Sequence, residues 1–259
     1  MYNLLISLGF AFATFVAFYQ TKVLVAPWAS LVGVIFASVA YFLLARRSLK
    51  SFERLVGEAQ KDLGSARQGN ALNKARVEAG IAKIKEGFKI GRWQYLINPQ
   101  VHAQLGMLYF ALEREDEARP HLTKSLANVG MARAMLAVLH YREKKYDAMA
   151  KTFEEAVRGD KKNILVWSSY AWCLDKVGQR DKGIEVLNRA LKQNPADETL
   201  KANHQALQNK ERMRMKGYGQ EWWSLRLEPV PMDFIPAGMR PPQSGFRKGY
   251  RQAPKQRSR

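Results

Sequence analysis

The side chains best suited to catalysis or metal binding in this 259-residue chain are four histidines and one cysteine. The histidines are His102, His121, His140 and His204. Imidazole and thiolate groups bind zinc when they come in closely spaced pairs. No two of these histidines are that close in sequence, and Cys173 has no second cysteine to pair with. The spacing therefore predicts structural roles for the histidines and no metal site.

Other catalytic motifs are also missing from the sequence. There is no glycine-rich phosphate loop and no nucleophile elbow. Cys173 lies in an apolar helical segment, where a free cysteine is usually buried and inert. A lone cysteine also fits a reducing compartment, since no disulfide can form within the chain. We therefore expect no catalytic residue and no cofactor, and the protein is predicted not to be an enzyme.

A pattern of apolar and small residues recurs three times between residues 99 and 197. A large–small pair comes first, and single apolar or small residues follow it 12, 16 and 19 positions after its small member. The pairs are Leu105-Gly106, Leu136-Ala137 and Tyr170-Ala171, followed by Ala118, Met149 and Gly183, by Leu122, Phe153 and Leu187, and by Ser125, Ala156 and Ala190. Two helices that cross closely need small residues on one wall and large residues on the other. A displacement of 31 and then 34 residues therefore predicts helix–turn–helix repeats.

This pattern resembles that of the tetratricopeptide repeat family, in which Trp-x2-Leu-Gly-x2-Tyr is followed by Ala-x3-Phe and then Pro. The third unit, 164–197, matches with Trp167, Tyr170-Ala171, Leu174, Gly183, Leu187 and Pro195. The first unit, 99–129, matches with Leu105-Gly106, Tyr109, Ala118 and Leu122, with Gly130 standing where the Pro would be. The second, 130–163, departs most, with Arg133, His140 and Met149 at pattern positions.

The resemblance implies a concave groove lined by the first helix of each unit. The matching positions here are Ala103, Met107, Phe110, Ala134, Val138, Tyr141, Ser168, Trp172 and Asp175. Members that bind a C-terminal carboxylate use a Lys/Asn/Arg clamp, which these positions lack. The expected ligand is therefore a protein partner that offers an apolar peptide or helix, held by Met and aromatic anchors. The alternative is that some of these side chains are simply core.

Residues 1–45 contain one charge, Lys22, and two apolar stretches, 2–21 and 28–45. Each is close to the length needed to cross about 30 Å of hydrocarbon as a helix. We interpret residues 1–45 as a transmembrane helical hairpin with a turn near Pro27. The alternatives are a single span and a cleaved signal, although the first residues lack the charge that a signal peptide needs.

Basic residues flank the second apolar stretch on its C-terminal side, at Arg46, Arg47, Lys50 and Arg54. By the positive-inside rule, this arrangement predicts an integral membrane protein, as of a bacterial inner membrane, with the repeat domain in the cytoplasm. The chain carries a net charge of +19, of which only +3 falls within 99–204. The basic character therefore belongs to the flanks of the repeats.

The flanking segments allow more than one interpretation. Residues 46–98 read either as a basic helical stalk that continues the second span or as a degenerate repeat that caps the array. Residues 198–214 read as a capping helix with a thin apolar stripe. Residues 215–259 read as a Pro-rich basic tail, disordered at least over its end, since 240–259 carries seven basic residues and no acidic one.

The tail contains two adjacent tryptophans, Trp222 and Trp223, as candidate anchors. They could fold back onto the repeats, bind a partner or sit at the membrane interface, and the first interpretation is favoured. The basic end of the tail could contact anionic lipid or RNA.

The sequence as a whole predicts an all-α protein: two transmembrane helices, a short tetratricopeptide repeat solenoid and a disordered basic tail. Its predicted function is that of a membrane-anchored scaffold or adaptor that recruits a protein partner through the concave groove. The alternative is a membrane-tethered RNA- or ribosome-associated factor that binds through its basic flanks.

Overall fold

The computed structural model describes residues 2–20, 26–66 and 73–229. This part of the chain is all-helical, which confirms the predicted fold class. The helices are α1 (Tyr2–Gln20), α2 (Ala26–Ala66), α3 (Lys74–Gly91), α4 (Ile97–Ala111), α5 (Glu115–Thr123), α6 (Gly130–Arg142), α7 (Tyr146–Gly159), α8 (Ile164–Lys176), α9 (Arg180–Gln193), α10 (Glu198–Gln208) and α11 (Gln220–Ser224), with a 3₁₀ turn at Met215–Tyr218. Lys22 and the basic tail after residue 229 lie outside the described residues.

Helices α1 and α2 form an antiparallel pair. Gly33 of α2 lies against the backbone of Ala11, and Asn3 at the other end of α1 bonds to Ser48. Both helices are long and apolar enough to cross a membrane, judged by length and composition. Only 11% of the apolar window of α1 and 6% of that of α2 is buried in the protein. Most of the apolar surface of both helices is therefore left uncovered by the described part of the chain.

Residues 46–98 include the later part of α2 and all of α3. α2 continues the second apolar stretch without a break to residue 66, as a stalk would. Its later half also packs on α3, where a Cβ added at Gly80 or Gly87 would meet Leu63 or Phe52 at 2.8 to 3.1 Å. α3 in turn packs on α4, since the same Cβ at Gly87 would lie 2.7 Å from Val101. The stalk therefore also covers the first helix pair of the repeat region.

Each predicted repeat unit holds one antiparallel pair of helices: α4 with α5, α6 with α7, and α8 with α9. Gly106 shows why the pattern needs a small residue, because a Cβ there would lie 2.7 to 2.9 Å from the side chain and backbone of Leu122. Gly183 lies similarly close to the backbone of Ala171. The first helices α4, α6, α8 and α10 also contact one another in order and form one layer.

The turn after each first helix contains one residue in the left-handed conformation, at the same position of each unit. These residues are Glu113, Lys144, Gly178 and Lys210, with φ between 58° and 81°. The amide of the next residue then donates to a carbonyl five residues back, at 2.8 to 2.9 Å, which caps the helix. Three of the four are not glycine, although the left-handed conformation costs them about 1 kcal/mol or more.

The turn at Lys210 identifies α10 as the first helix of a fourth, incomplete unit. α10 ends at Gln208, so the predicted capping helix over 198–214 is shorter in the structure. Within the described residues, α10 is followed only by the 3₁₀ turn and the five-residue helix α11, so it has no long second helix of the kind that completes the other units. Residues 211–229, here called the strap, instead turn back across the layer of first helices. The predicted tail from residue 215 therefore begins as packed structure.

Candidate partner-binding groove

The residues predicted to line the groove fall into two groups by exposure. Six are buried: Ala103, Phe110, Ala134, Val138, Ser168 and Trp172. Met107, Tyr141 and Asp175 are partly exposed. The first helices do bring these positions to one layer, and the strap covers much of it.

Trp222 is the central apolar contact of the strap. Its side chain is fully buried, and its indole meets Trp172 of α8 edge-on with 5.4 Å between ring centroids. Trp172 also meets Tyr141 of α6 at 6.1 Å. An edge-to-face aromatic pair stabilises by about 0.5–1.5 kcal/mol beyond the area that it buries. The groove thus holds an apolar aromatic segment of its own chain.

The start of the strap is held by Asn203 of α10, a fully buried residue. Asn203 stands seven residues before Lys210, as Gly106 stands before Glu113, and so takes the small-residue position of its unit. Its Oδ1 accepts a hydrogen bond of 2.7 Å from the backbone amide of Arg214. In the first unit the residue at this position faces the second helix, whereas Asn203 contacts the strap.

Tyr218 joins the strap to two first helices. Its hydroxyl shares a hydrogen bond of 2.5 Å with Ser168 of α8 and accepts one of 3.3 Å from Asn203 of α10. Burial raises the pKa of Tyr218, so the phenol stays protonated at neutral pH. This polar site inside an apolar groove is satisfied by the strap itself.

Arg226 fixes the far end of the strap against the first two units. Its guanidinium donates to the carbonyl of Ala111 at 2.9 Å and forms an ion pair with Glu113. Arg142, at the end of α6, donates to the carbonyl of Arg226 at 3.1 Å and lies over the ring of Phe110 at 5.2 Å. These contacts are partly exposed, so they position the strap more than they stabilise it.

Two further apolar residues complete the strap. Trp223 is 4% exposed and Leu225 is fully buried. The indole nitrogen of Trp222 donates to Glu228 at 3.2 Å, which keeps the polar end of that ring paired within the strap. The strap therefore carries both the apolar anchors and the polar partners needed to lie in the groove.

Comparison with known families identifies the repeat. Residues 99–127, which cover most of α4 and all of α5, match the family model for the tetratricopeptide repeat. This segment is therefore similar to a tetratricopeptide repeat. Comparison with curated proteins and with solved structures found no match. Tetratricopeptide repeats build concave surfaces that bind other proteins, so the matched segment indicates an interaction scaffold.

Sequence reasoning placed the tetratricopeptide helices but did not find three residues of the strap contact: Asn203, Tyr218 and Arg226. One signal was available, since Asn203 follows the small-position series at Gly106, Ala137 and Ala171 after a further 32 residues. A polar residue at a position that holds Gly or Ala in the other units indicates that a different kind of segment packs against it. Nothing local in the sequence marks Tyr218 or Arg226 as groove contacts.

Two of the candidate histidines meet in the structure. Nδ1 of His102 on α4 and Nδ1 of His121 on α5 lie 2.9 Å apart, so one must donate and the other accept. Burial lowers the pKa of both, and Lys124 lowers both further. Within the described residues, no group of three or more His, Cys, Asp or Glu could hold a metal ion. Cys173 is buried, and burial raises the pKa of its thiol.

The predicted membrane-flanking cations lie on one helix. Arg46, Arg47, Lys50 and Arg54 are all exposed on α2, directly after its apolar part. They stand on the same helix whose later half packs against α3. The four cations and the base of the repeat array are therefore parts of one continuous helix.

Proposed function

We propose that the protein is a membrane-anchored adaptor that recruits a protein partner through the tetratricopeptide groove. The observation that carries this proposal is the seating of Trp222 against Trp172 within the groove. This contact supports a ligand segment that is short, apolar and anchored by an aromatic residue. In this proposal the partner offers a segment of similar chemistry, and that segment competes with the strap for the groove.

Competition with the strap sets the affinity that the partner needs. A tethered segment has an effective concentration in the millimolar range, so it occupies its own site unless displaced. A strap that is closed in 99 of 100 molecules weakens the apparent affinity of a competing ligand about 100-fold. The strap thus excludes weak apolar ligands and admits a partner with a better anchor.

Membrane anchoring rests on α1 and the first part of α2 as an antiparallel pair of apolar helices followed by four cations. The excess of cations after α2 supports a cytoplasmic position for the repeats. Carbonate extraction of membranes from expressing cells tests the anchoring. We expect the full chain to stay in the pellet and a chain without residues 1–45 to be soluble. Release of the full chain would contradict the anchoring.

Binding in the groove is tested with a fluorescent peptide of residues 211–229 added to the full chain in neutral detergent. We expect the peptide to bind a chain that carries Trp222→Ala, whose own strap is loosened, and to bind the unaltered chain far more weakly. The same peptide with Trp222→Ala should bind neither. A chain with Tyr95→Ala, a residue 64% exposed and far from the strap in sequence, is the matched aromatic control. Equal peptide binding by all chains would contradict the groove as the binding site.

Recruitment in cells is tested by photo-crosslinking from two positions. A photoreactive residue at Met107 reports on the groove, and one at the exposed Lys182 of α9 reports on the opposite helix layer. We expect crosslinks to a partner from position 107, increased by Trp222→Ala, and none from position 182. Crosslinks that come only from position 182, or that disappear after nuclease treatment, would contradict recruitment through the groove.

A further inference from the structure

A crevice lies where the apolar part of α2 ends and the first turn of α1 meets the segment between α3 and α4. It has a volume of about 450 Å³. Its walls include the cations Arg47 and Lys89, the hydroxyls of Ser48 and Ser51, and the apolar side chains of Leu44 and Trp93. Its volume lies within the range of small-ligand sites.

The crevice is held in place by hydrogen bonds between three distant segments. The backbone amides of Tyr2 and Asn3 donate to the carbonyls of Arg92 and Trp93, each at 3.2 Å. The side chain of Asn3, which is 2% exposed, donates to Ser48 at 3.0 Å and to Gln94 at 3.4 Å. These bonds preorganise the crevice before any ligand enters.

The charges of the crevice are unbalanced. Arg47 and Lys89 are exposed and form no ion pair within the described part of the chain, and none of the described residues that line the crevice is acidic. The Ser51 hydroxyl already donates to the carbonyl of Arg47 at 3.1 Å. The two cations and the Ser48 hydroxyl suit a phosphate group, to which arginine can donate two parallel hydrogen bonds. The chemistry of the walls therefore selects for an anion with several oxygens.

The surroundings of the crevice indicate where that phosphate comes from. The segment between α3 and α4 exposes Trp93 and Leu96, at 48% and 47%, and Tyr95 at 64%. Gln94 in the same segment donates to Tyr41 of α2 at 2.9 Å, four residues before the apolar stretch ends. Exposed aromatic residues at the end of apolar helices are typical of the membrane interface, where lipid phosphates lie.

We propose that this crevice binds the phosphate of an anionic glycerophospholipid, with Arg47 and Lys89 as its cationic partners and the acyl chains along α1 and α2. The assignment of a lipid as the source rests on the membrane anchoring proposed above. A bound lipid would lock α1, α2 and the segment between α3 and α4 together at the membrane surface. It would thereby fix the orientation of the repeat array above the bilayer.

Native mass spectrometry of the full chain in neutral detergent tests the proposal. The probes are phosphatidylglycerol, diacylglycerol with the same acyl chains, and inorganic phosphate. We expect one phosphatidylglycerol to bind, diacylglycerol not to bind, and Arg47→Gln with Lys89→Gln to weaken binding about 10-fold or more. The matched control, Lys50→Gln with Arg54→Gln, removes two exposed cations of α2 that do not line the crevice and should bind as the unaltered chain does.

Three results would overturn the proposal: equal weakening in the two double variants, equal binding of diacylglycerol, or inorganic phosphate competing at the concentration of the lipid. The third would leave an anion site without a lipid. All four substituted residues are exposed, and an unchanged melting temperature verifies that both variants fold. Carbonate extraction is independent of this measurement, so failure of the anchoring is distinguishable from failure of the crevice.

Discussion

The indole of Trp222 meets that of Trp172 edge-on, 5.4 Å away, although the two residues are 50 positions apart in the chain. Trp172 belongs to α8, a first helix of the array, and Trp222 to the strap that crosses it. This contact makes the groove an occupied site. A ligand must therefore displace the strap before it can bind in the groove.

Replacement of Trp222 by alanine should release the middle of the strap. Loss of a fully buried tryptophan costs about 3–5 kcal/mol of stability when the site does not collapse. Cys173, the single cysteine of the chain, is fully buried in α8 next to Trp172 in sequence, so its thiol reports loosening of the packing around that helix. We expect its thiol to be labelled much faster in the variant, and at the unaltered rate in the Tyr95→Ala control. Equal labelling rates in all three chains would contradict the strap as a cover.

Asn203→Leu should detach the start of the strap while leaving α10 in place. The substitution removes the acceptor for the amide of Arg214 and the donor to Tyr218, at a cost of about 1–3 kcal/mol. Asn203→Asp keeps the acceptor and should retain the bond to the amide of Arg214, while the buried carboxylate adds its own cost in stability. Hydrogen exchange at the amide of Arg214 measures the difference, and faster exchange in the aspartate variant than in the leucine variant would contradict it.

Gly106→Ala should destabilise the first repeat, since its Cβ would lie 2.7 to 2.9 Å from Leu122. Overpacking of this kind costs about 1–3 kcal/mol. The matched control is Gly57→Ala in α2, where a Cβ would meet nothing within 4 Å. The control should be neutral or stabilising by about 0.5–1 kcal/mol, because alanine favours the helix. Thermal melting of both variants measures the contrast, and equal midpoints would rule out the steric account.

The His102–His121 pair should make the protein less stable in acid. Burial lowers the pKa of both histidines in the folded chain, so between the folded and the unfolded values the unfolded chain binds more protons. Their contribution is therefore present above the ordinary histidine pKa of 6.5 and is lost as the pH falls through the lowered values. Urea midpoints at pH 8 and pH 5 measure the loss. Replacing both residues by glutamine should reduce the pH dependence, and an unchanged dependence would contradict this origin.

The position of the helix pairs could be predicted because the signal is local. Gly106 against Leu122, sixteen residues on, is a contact within one hairpin, and its small–large chemistry repeats at a fixed period. The two apolar stretches of α1 and α2 were predictable for a similar reason, since length and composition suffice to define them. The resemblance to tetratricopeptide repeats is confirmed for residues 99–127 by the family match.

The contacts between distant segments could not be predicted in the same way. The sequence favoured folding of Trp222 onto the repeats over two alternatives. It did not predict that Trp222 packs on Trp172, nor the role of Arg226. The crevice at Arg47 and Lys89 depends on α1, α2 and α3 meeting at one point. The pairing of His102 with His121 depends on how far α4 turns before α5 packs on it.

The sequence by itself thus determined which residues form helices and which faces of them are apolar, because both follow from periodicity along a single element. The tertiary structure alone decided that α10 is half of a fourth unit, that Asn203 receives the strap, and that the groove is filled. These outcomes depend on shape and polar complementarity between elements far apart in the chain. A periodic pattern fixes the direction in which a side chain points, and only the packed fold fixes what it meets there.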